Sequence, residues 1–204
     1  MKTVVIISQK GGAGKTTLAV HLAIAAEKKG LTSAILDIDP QGSALDWKES
    51  RSNETPEVIM AQSKQVGKIL EAAQKAGTDL VLVDTAPHSE STALEAAQYA
   101  DVILIPCRPA IFDIRAIKTT RDLALLAKKP AFVVLNAVPH QGSLTDEAIA
   151  GITLLDMQIA PVQLGQRQAF IRSLTEGLTA QEFEPKGKAA TEINEFYAWL
   201  ESVL

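Results

Sequence analysis

One short segment carries most of the chemistry that can be expected of this sequence. The segment Lys10-Gly11-Gly12-Ala13-Gly14-Lys15-Thr16-Thr17 follows the apolar run at residues 3–7 and precedes a helical pattern. Its glycines let the backbone curl so that successive N–H groups face a phosphate, and the N-terminus of the following helix favours the same anion. Lys15 adds a positive charge, and the Thr16 hydroxyl suits Mg²⁺, which keeps several non-protein oxygen ligands. The segment therefore predicts binding of a nucleoside triphosphate with Mg²⁺.

This loop departs from the generic phosphate-loop pattern at one position. Gln9 stands where that pattern has its first glycine, and Lys10 is an additional lysine at the loop entrance. A glycine-rich surface turn is the simpler alternative, but a strand before the loop and a helix after it favour the phosphate loop. We interpret the segment as a deviant phosphate loop, with nucleotide contacts from Gly11, Gly12, Ala13, Gly14, Lys15, Thr16 and Thr17.

Three aspartates follow apolar runs that are expected to be strands. Asp37 and Asp39 end the run that begins at Thr32, and Asp84 ends the run 80–83. A carboxylate at the C-terminal end of a parallel strand lies at the edge of the sheet where phosphates bind. Asp84 can there hold a magnesium-bound water, and we expect at most one of Asp37 and Asp39 to face the nucleotide directly. Alone, an aspartate before Pro-Gln-Gly would indicate a turn, but the phosphate loop favours a role in chemistry.

Strand-like and helical runs alternate along the whole chain. This alternation predicts an α/β fold in which a mostly parallel, twisted sheet carries helices on both faces, as one domain over residues 1–204. The predicted strands are Thr3–Ile7, Thr32–Ile38, Glu57–Ala61, Leu80–Asp84, Asp101–Pro106 and Ala131–Asn136, with a further one at Ala160–Leu164. The predicted helices are Thr16–Lys29, Lys64–Ala76, Glu90–Ala100, Phe112–Ala127, Asp146–Leu155 and Ala189–Val203.

The composition fits a compact protein and excludes several kinds of site. Of the 204 residues 47% are hydrophobic and 4% aromatic, which favours aliphatic packing of strands and helices. No apolar run reaches the roughly 18 residues of a membrane span, and the N-terminus reads as a strand, so we expect a cytoplasmic protein. The single cysteine, Cys107, excludes an internal disulfide, and the three histidines have no metal-site spacing.

Together, the three motifs resemble those of the deviant phosphate-loop ATPases, and within them the short ParA-type partition ATPases. The motifs 10–17, 37–42 and 80–87 occur in the family's order, and the resemblance covers nearly the whole chain. It implies ATP hydrolysis by water with Mg²⁺, in a homodimer that forms with ATP. It further implies the following roles: Lys10 reaches the partner subunit's phosphates, Lys15 binds the phosphates, Asp39 orients the attacking water, Thr16 binds Mg²⁺, and Asp37 and Asp84 assist the metal through water.

The resemblance also implies roles for two later segments. Asn136 would contact the adenine edge, although a plain asparagine at a strand end is an equally good interpretation. Residues 166–170 would begin a helix near the nucleotide and the dimer interface. Because a strand begins at residue 3, we expect the short type that lacks an N-terminal helix-turn-helix.

Binding to DNA must be local, since a net charge of −4 gives no overall attraction to nucleic acid. The resemblance implies sequence-independent DNA contacts, nucleoid association with ATP, and a ParB-like centromere-binding partner. Two basic clusters are candidates for the DNA contacts. The first basic cluster consists of Arg108, Arg115, Lys118, Arg121, Lys128 and Lys129, and the second of Arg167, Arg172, Lys186 and Lys188. A solvated charged surface explains either cluster about equally well.

Several other functions share such an ATP site. A MinD-like membrane anchor is disfavoured because the C-terminal segment 191–201 is acidic, and a nitrogenase-type iron protein would need two cysteines. A ParA-like positioner of protein cargo, a metabolic phosphate-loop enzyme and an ATP-binding module without hydrolysis remain open. DNA-stimulated turnover would favour partition, turnover without DNA or partner the metabolic enzyme, and tight retention without turnover the binding module.

Overall fold

The chain folds around one sheet of seven strands, in a computed structural model that describes all residues 1–204. The strands are β1 Lys2–Ile6, β2 Ser33–Asp37, β3 Glu57–Met60, β4 Leu80–Asp84, β5 Val102–Cys107, β6 Ala131–Leu135 and β7 Gln158–Ile159. Their order in the sheet is β3-β2-β4-β1-β5-β6-β7, and every neighbouring pair is parallel. The α/β fold with a parallel sheet is confirmed.

Nine α-helices connect the strands and cover both faces of the sheet. They are α1 Lys15–Lys28, α2 Ser43–Glu49, α3 Val66–Lys75, α4 Glu90–Ala97, α5 Ile111–Ala127, α6 Leu144–Thr153, α7 Gln168–Thr175, α8 Ala180–Phe183 and α9 Lys188–Val203. A 3₁₀ turn at Ser63–Gln65 precedes α3. None of the helices combines the length and the apolar character that a membrane crossing needs.

The two faces of the sheet carry separate apolar cores, as alternation along a doubly covered strand requires. In β1, Val4 and Ile6 belong to the core that α1, α2 and α7–α9 cover, whereas Val5 belongs to the core under α3–α6. All strand positions from Val4 to Ile6 are fully buried. The central strands are therefore fixed from both sides, and their C-terminal ends can position a site.

The register of the sheet brings the predicted motifs to one place. Asp84 pairs with Ile6, after which the phosphate loop begins, and also with Asp37 across the other edge of β4. The phosphate loop and both aspartate motifs therefore lie side by side at the C-terminal ends of β1, β4 and β2.

One predicted strand was wrong, and two short helices were not predicted. The predicted strand at Ala160–Leu164 is not a strand: the N–H groups of Ala160 and Leu164 donate separately to Val133 and Leu135, so the residues between them loop out. Pro161 has no N–H to contribute to a ladder there, and β7 lies earlier instead. Helices α2 and α8 were not predicted, because seven and four residues give too little periodicity to detect. The remaining differences are shifts of a few residues at element ends.

A buried ion pair attaches the end of α2 to α8. Arg51, whose side chain is 2% exposed, makes a two-pronged pair with Glu182 at 2.6 and 2.9 Å and donates to the Gly177 carbonyl at 3.0 Å. Its guanidinium also lies over the Trp47 ring, 5.1 Å from the centroid. These contacts fix residues 177–182 against the segment that follows β2.

Breaking this pair should destabilise the fold far more than breaking an exposed one. We expect Glu182→Ala to lower the free energy of unfolding by roughly 3–5 kcal/mol, because it leaves the Arg51 charge buried and unpaired. Glu201→Ala, which breaks the exposed Lys29–Glu201 pair, should cost less than about 1 kcal/mol. Urea denaturation of both variants compares them directly, and equal losses would contradict the assignment.

Candidate nucleotide site

The phosphate loop has the backbone conformation that its glycines were expected to allow. Gly12 and Gly14 have φ values of +69° and +98°, a region that side-chain-bearing residues rarely adopt. Gly14 is the N-cap of α1, and no side chain caps that helix terminus. The first backbone N–H groups of α1 therefore have no side-chain partner within the protein and are available to an anion.

Asn136 holds this loop from the C-terminal end of β6. Its side-chain amide Nδ2 donates to the Ala13 carbonyl at 2.7 Å. The amide also fills the space beside Gly14, since a Cβ built on Gly14 would lie 2.1 Å from Nδ2. In this structure the amide supports the loop, and the adenine contact stays a prediction.

Lys15, Thr16 and Asp84 form the buried part of the site. The Thr16 hydroxyl donates to Asp84 Oδ2 at 2.5 Å, whereas Asp84 Oδ1 is buried without any hydrogen-bond partner. Burial raises the pKa of Asp84 to about 7. Burial also lowers the pKa of Lys15, against the attraction of Asp84 and Asp39. Ionisable groups that are buried without enough hydrogen bonds or opposite charges around them are typical of ligand-binding sites.

These residues fit Mg²⁺. The unpartnered Asp84 oxygen and the Thr16 hydroxyl are hard oxygen donors on adjacent elements, and Mg²⁺ commonly uses one or two protein ligands with phosphates and waters. The chain has no group of three or more histidine, cysteine, aspartate or glutamate side chains that could hold a metal by itself. The metal roles given to Thr16, Asp37 and Asp84 stay predictions that this arrangement supports.

Asp37 and Asp39 have different surroundings, in line with the expectation that at most one faces the nucleotide. Asp37 is fully buried, and its carboxylate accepts the backbone N–H groups of Asp39 and Ala44, both at 3.0 Å. Burial raises its pKa, which these N–H groups partly oppose. Asp39 lines the pocket beside the phosphate loop, and its Oδ1 accepts only the Gln41 N–H at 3.0 Å. Asp37 thus shapes the loop that presents Asp39.

A pocket of about 650 Å³ joins the loop to α2, which sequence reasoning missed, and to α7, the helix that was expected to begin at residues 166–170. On the loop side it is lined by Gly11, Gly12, Gly14, Lys15, Thr16 and Thr17, with Asp39 and Gln41 beside them. On the far side it is lined by Ser43, Asp46 and Trp47 of α2, Ser50, and Leu174 and Thr175 of α7. The only feature of the sequence at the start of α2 is a serine after Gly42, and this pair of residues is typical of a loop. Lys10 does not line this pocket.

His21 ties the phosphate-loop helix to α8. Its Nδ1 lies 2.7 Å from the Thr17 carbonyl, and its Nε2 accepts the Ala180 N–H at 3.0 Å, which defines a neutral ring with the proton on Nδ1. The residue is completely buried, and burial lowers its pKa to about 4. Histidine 21 is therefore a structural residue of the site and does not act as a metal ligand here.

The structure divides the two basic clusters into paired and free charges. Arg108, Arg121 and Arg167 make ion pairs with Asp113, Asp122 and Glu192. The exposed members that make no ion pair are Arg115, Lys118 and Lys128 in the first cluster and Arg172, Lys186 and Lys188 in the second. The DNA contacts predicted for Arg167, Arg172, Lys186, Lys188, Arg115 and Lys118 stay predictions.

Comparison with known proteins gives the family. A model of the CobQ/CobB/MinD/ParA nucleotide binding domain matches residues 4–180. The chain belongs to this family. Its sequence is 33% identical over 201 residues to maintenance of carboxysome distribution protein A of Gloeobacter kilaueensis, covering 96% of this chain and 90% of that protein.

Two further comparisons complete this result. Protein ParA of Rhizobium radiobacter is 35% identical over 132 residues, which cover 63% of this chain and 58% of that protein. The structure of Cyanthece apo McdA matches with a TM-score of 0.81 at 16% identity, over 98% of this chain and 99% of the other, and so shows the fold alone. The resemblance to the ParA group that the three motifs indicated is confirmed at the level of the family.

Replacing Gly14 should disable the loop. We expect Gly14→Ala to weaken binding of a fluorescent ATP analogue by at least ~10-fold. An alanine at this position would have a positive φ that residues with a Cβ rarely adopt, and its Cβ would displace the Asn136 amide. Gly77→Ala is the matched control: Gly77 has φ +86° but open space around it and lies after α3, outside the pocket. The control should cost about 1 kcal/mol of stability without changing the affinity. Wild-type affinity in Gly14→Ala would contradict this account of the loop.

His21 should make the fold sensitive to acid. Because its folded pKa of about 4 lies below its ordinary value of 6.5, the unfolded chain takes up a proton first as the pH falls. The contribution of neutral His21 to the free energy of unfolding is complete above pH 6.5 and falls as the pH drops toward 4. At pH 5 the free energy of unfolding should be lower by roughly 2 kcal/mol than at neutral pH. His21→Gln, which can still accept the Ala180 N–H, should be less stable than wild type at pH 7.5 and lose less stability on acidification. Parallel pH profiles of unfolding free energy would count against this assignment.

Proposed function

We propose that this chain is an ATP-hydrolysing switch that dimerises when it binds ATP and positions a cargo while bound to DNA. The observation that carries the proposal is the convergence of Asp39, Lys15 and Thr16 on one pocket, beside the partnerless oxygen of Asp84. One site thereby contains a cation for the phosphates, oxygen donors for Mg²⁺ and a carboxylate that can orient the attacking water.

Hydrolysis would proceed by positioning and charge neutralisation, with water as the nucleophile. Lys15 and the N–H groups of the loop bind the phosphates, and Asp39 orients the attacking water. Thr16 and Asp84 would hold Mg²⁺, which neutralises charge that develops on the phosphates. Burial of Lys15 and Asp84 strengthens these interactions because little water is present to screen them.

An ATP-dependent dimer is supported by apolar side chains around the nucleotide edge. Met60, Ile111, Phe112 and Leu144 lie at the C-terminal ends of β3, β5 and β6 or just beyond, and they are 48–65% exposed. Exposed apolar groups on the side where ATP binds suit contact with a second copy. Lys10, outside the chain's own pocket, would reach the partner subunit's phosphates.

The cargo has two candidates. The motifs favour DNA partition with a ParB-like centromere-binding partner, for a plasmid or a chromosome. A positioner of protein cargo is favoured by the match to a carboxysome distribution protein, because that match spans nearly the whole chain whereas the ParA match spans 63%. The two functions share the same ATP cycle and, in this proposal, the same DNA-bound state in the cytoplasm, associated with the nucleoid. They differ in the partner that stimulates hydrolysis.

The decisive experiment is retention on random-sequence duplex DNA with ATP, with ADP and without nucleotide, at about 50 and about 200 mM salt. We expect binding that requires ATP and weakens with salt, since phosphate contacts release counterions. Asp39→Ala should stay bound with ATP because it cannot hydrolyse it, whereas Lys15→Gln should not bind. An Asp39→Ala protein with normal turnover would refute the role of Asp39.

Paired charge variants identify the surface that contacts DNA. Lys186→Gln with Lys188→Gln tests the second basic cluster, and Arg115→Gln with Lys118→Gln tests the first. The pair that contacts phosphates should lower the salt dependence of binding, and the other pair is its matched control. Absence of DNA binding with every nucleotide, together with turnover that needs no DNA, would favour a metabolic phosphate-loop enzyme. Retention of ATP without turnover would favour a binding module.

A further inference from the structure

Arg108 lies beside the phosphate loop, although no motif drew attention to it there. It follows the last residue of β5, and β5 neighbours β1, from which the loop emerges. Its terminal nitrogen Nη1 is 4.0 Å from the position that a Cβ on Gly12 would occupy. Arg108 is therefore a cation next to the first half of the loop.

Asp113 fixes the orientation of this guanidinium. Arg108 Nε donates to Asp113 Oδ1 at 2.8 Å and Nη2 donates to Oδ2 at 3.3 Å. Asp113 lies in the first turn of α5 and is 6% exposed, so its carboxylate is held by the helix. The two-pronged contact leaves Nη1 without a partner in the protein and directs it to the loop.

Arg108 does not line the chain's own nucleotide pocket, and 41% of its side chain is exposed. The adjacent Gly11 has open space where a Cβ would be, so nothing in the chain covers the loop there. Lys10, which is half-buried and makes no ion pair, precedes this open stretch. The outer side of the loop thus presents a fixed guanidinium that is paired with Asp113 through Nε and Nη2, while its Nη1 has no hydrogen-bond partner in the protein.

We propose that Arg108 binds the terminal phosphate of the nucleotide held by a second copy of this chain. This inference rests on the proposed function, because it requires an ATP-dependent dimer. In a two-fold dimer each subunit gives its Arg108 to the other, so both sites become complete together. Asp113 is the positioning residue, since it keeps the guanidinium directed outward before the second copy arrives.

Such an arrangement assigns nucleotide binding and dimer formation to different residues. Lys15 and the loop would bind ATP in the single chain, whereas Arg108 would stabilise the dimer only while a terminal phosphate is present. Because Asp113 already occupies Nε and Nη2, the free Nη1 of Arg108 would gain a charged partner only from a phosphate on the second copy. Release of the phosphate after hydrolysis would remove this contact and favour separation of the subunits.

Mixing two inactive variants tests the transfer. Arg108→Ala keeps Asp39 but cannot give an arginine, and Asp39→Ala keeps Arg108 but cannot orient water. In a mixed dimer the Arg108→Ala subunit has Asp39 and receives Arg108 from its partner. We expect each variant alone to show at least ~10-fold lower ATP turnover than wild type. An equimolar mixture should recover turnover up to about a quarter of the wild-type value, which is the value for random pairing, where half of the dimers are mixed and each has one complete site.

Three further variants separate an electrostatic role from a structural one. Arg108→Ala should bind a fluorescent ATP analogue within about 3-fold of wild type yet form fewer dimers with ATP by analytical ultracentrifugation, because only the second contact is lost. Arg108→Lys should not restore dimers, because lysine cannot make the two-pronged contact with Asp113. Asp113→Asn should weaken dimerisation without abolishing it. Lys75→Ala, which removes an exposed cation without an ion pair at the end of α3, is the control and should behave as wild type.

The outcomes distinguish this inference from the function on which it rests. Recovery of turnover in the mixture supports the transfer of Arg108 between subunits. An inactive mixture, with a wild-type chain that dimerises with ATP and hydrolyses it, overturns the transfer and leaves the proposed function intact. A wild-type chain that forms no dimer with ATP overturns both.

Discussion

The structure depends on burying two charged side chains, Lys15 and Asp84, at the centre of one sheet edge. Neither is fully compensated within the protein, since burial shifts both pKa values toward the neutral forms and one Asp84 oxygen has no partner. Only strands covered on both faces, such as β1 and β4, can hold such groups rigidly enough to keep them there. Under the proposed function, phosphate and Mg²⁺ would supply the missing charges, so ligand binding should recover free energy that folding left unsatisfied.

The loop imposes a second constraint, because its N–H groups must face the ligand and cannot be used to hold the loop itself. The support comes from outside the motif. Asn136 donates to the Ala13 carbonyl from β6, and His21 connects the Thr17 carbonyl to α8. The buried Arg51–Glu182 pair fixes α8 in turn. Elements far apart in sequence thus preserve one backbone conformation, which leaves the loop ready to bind.

The cations of the site fall into two groups that suit a switch. Lys15 lies inside the pocket and is buried, whereas Lys10 and Arg108 lie outside the chain's own pocket. Lys15 can bind a nucleotide within one chain. Lys10 and the free Nη1 of Arg108 are instead available to an anion on another surface. Exposed apolar side chains at the same edge, such as Phe112, add the area that such a contact needs. Nucleotide binding and the contact with a second copy can therefore depend on different residues of one loop region.

The sequence alone determined the parallel α/β fold, the phosphate loop and the placement of Asp37, Asp39 and Asp84 at strand ends, because short continuous apolar runs and a local glycine motif are properties of neighbouring residues. Tertiary structure decided which side chains complete the site. The short helix α2, the looped-out residues 160–164, the support of the loop by Asn136 and the approach of Arg108 to Gly12 all arise from contacts across the sheet. Such contacts join residues more than ninety positions apart in the last two cases, and no local pattern in the chain encodes them.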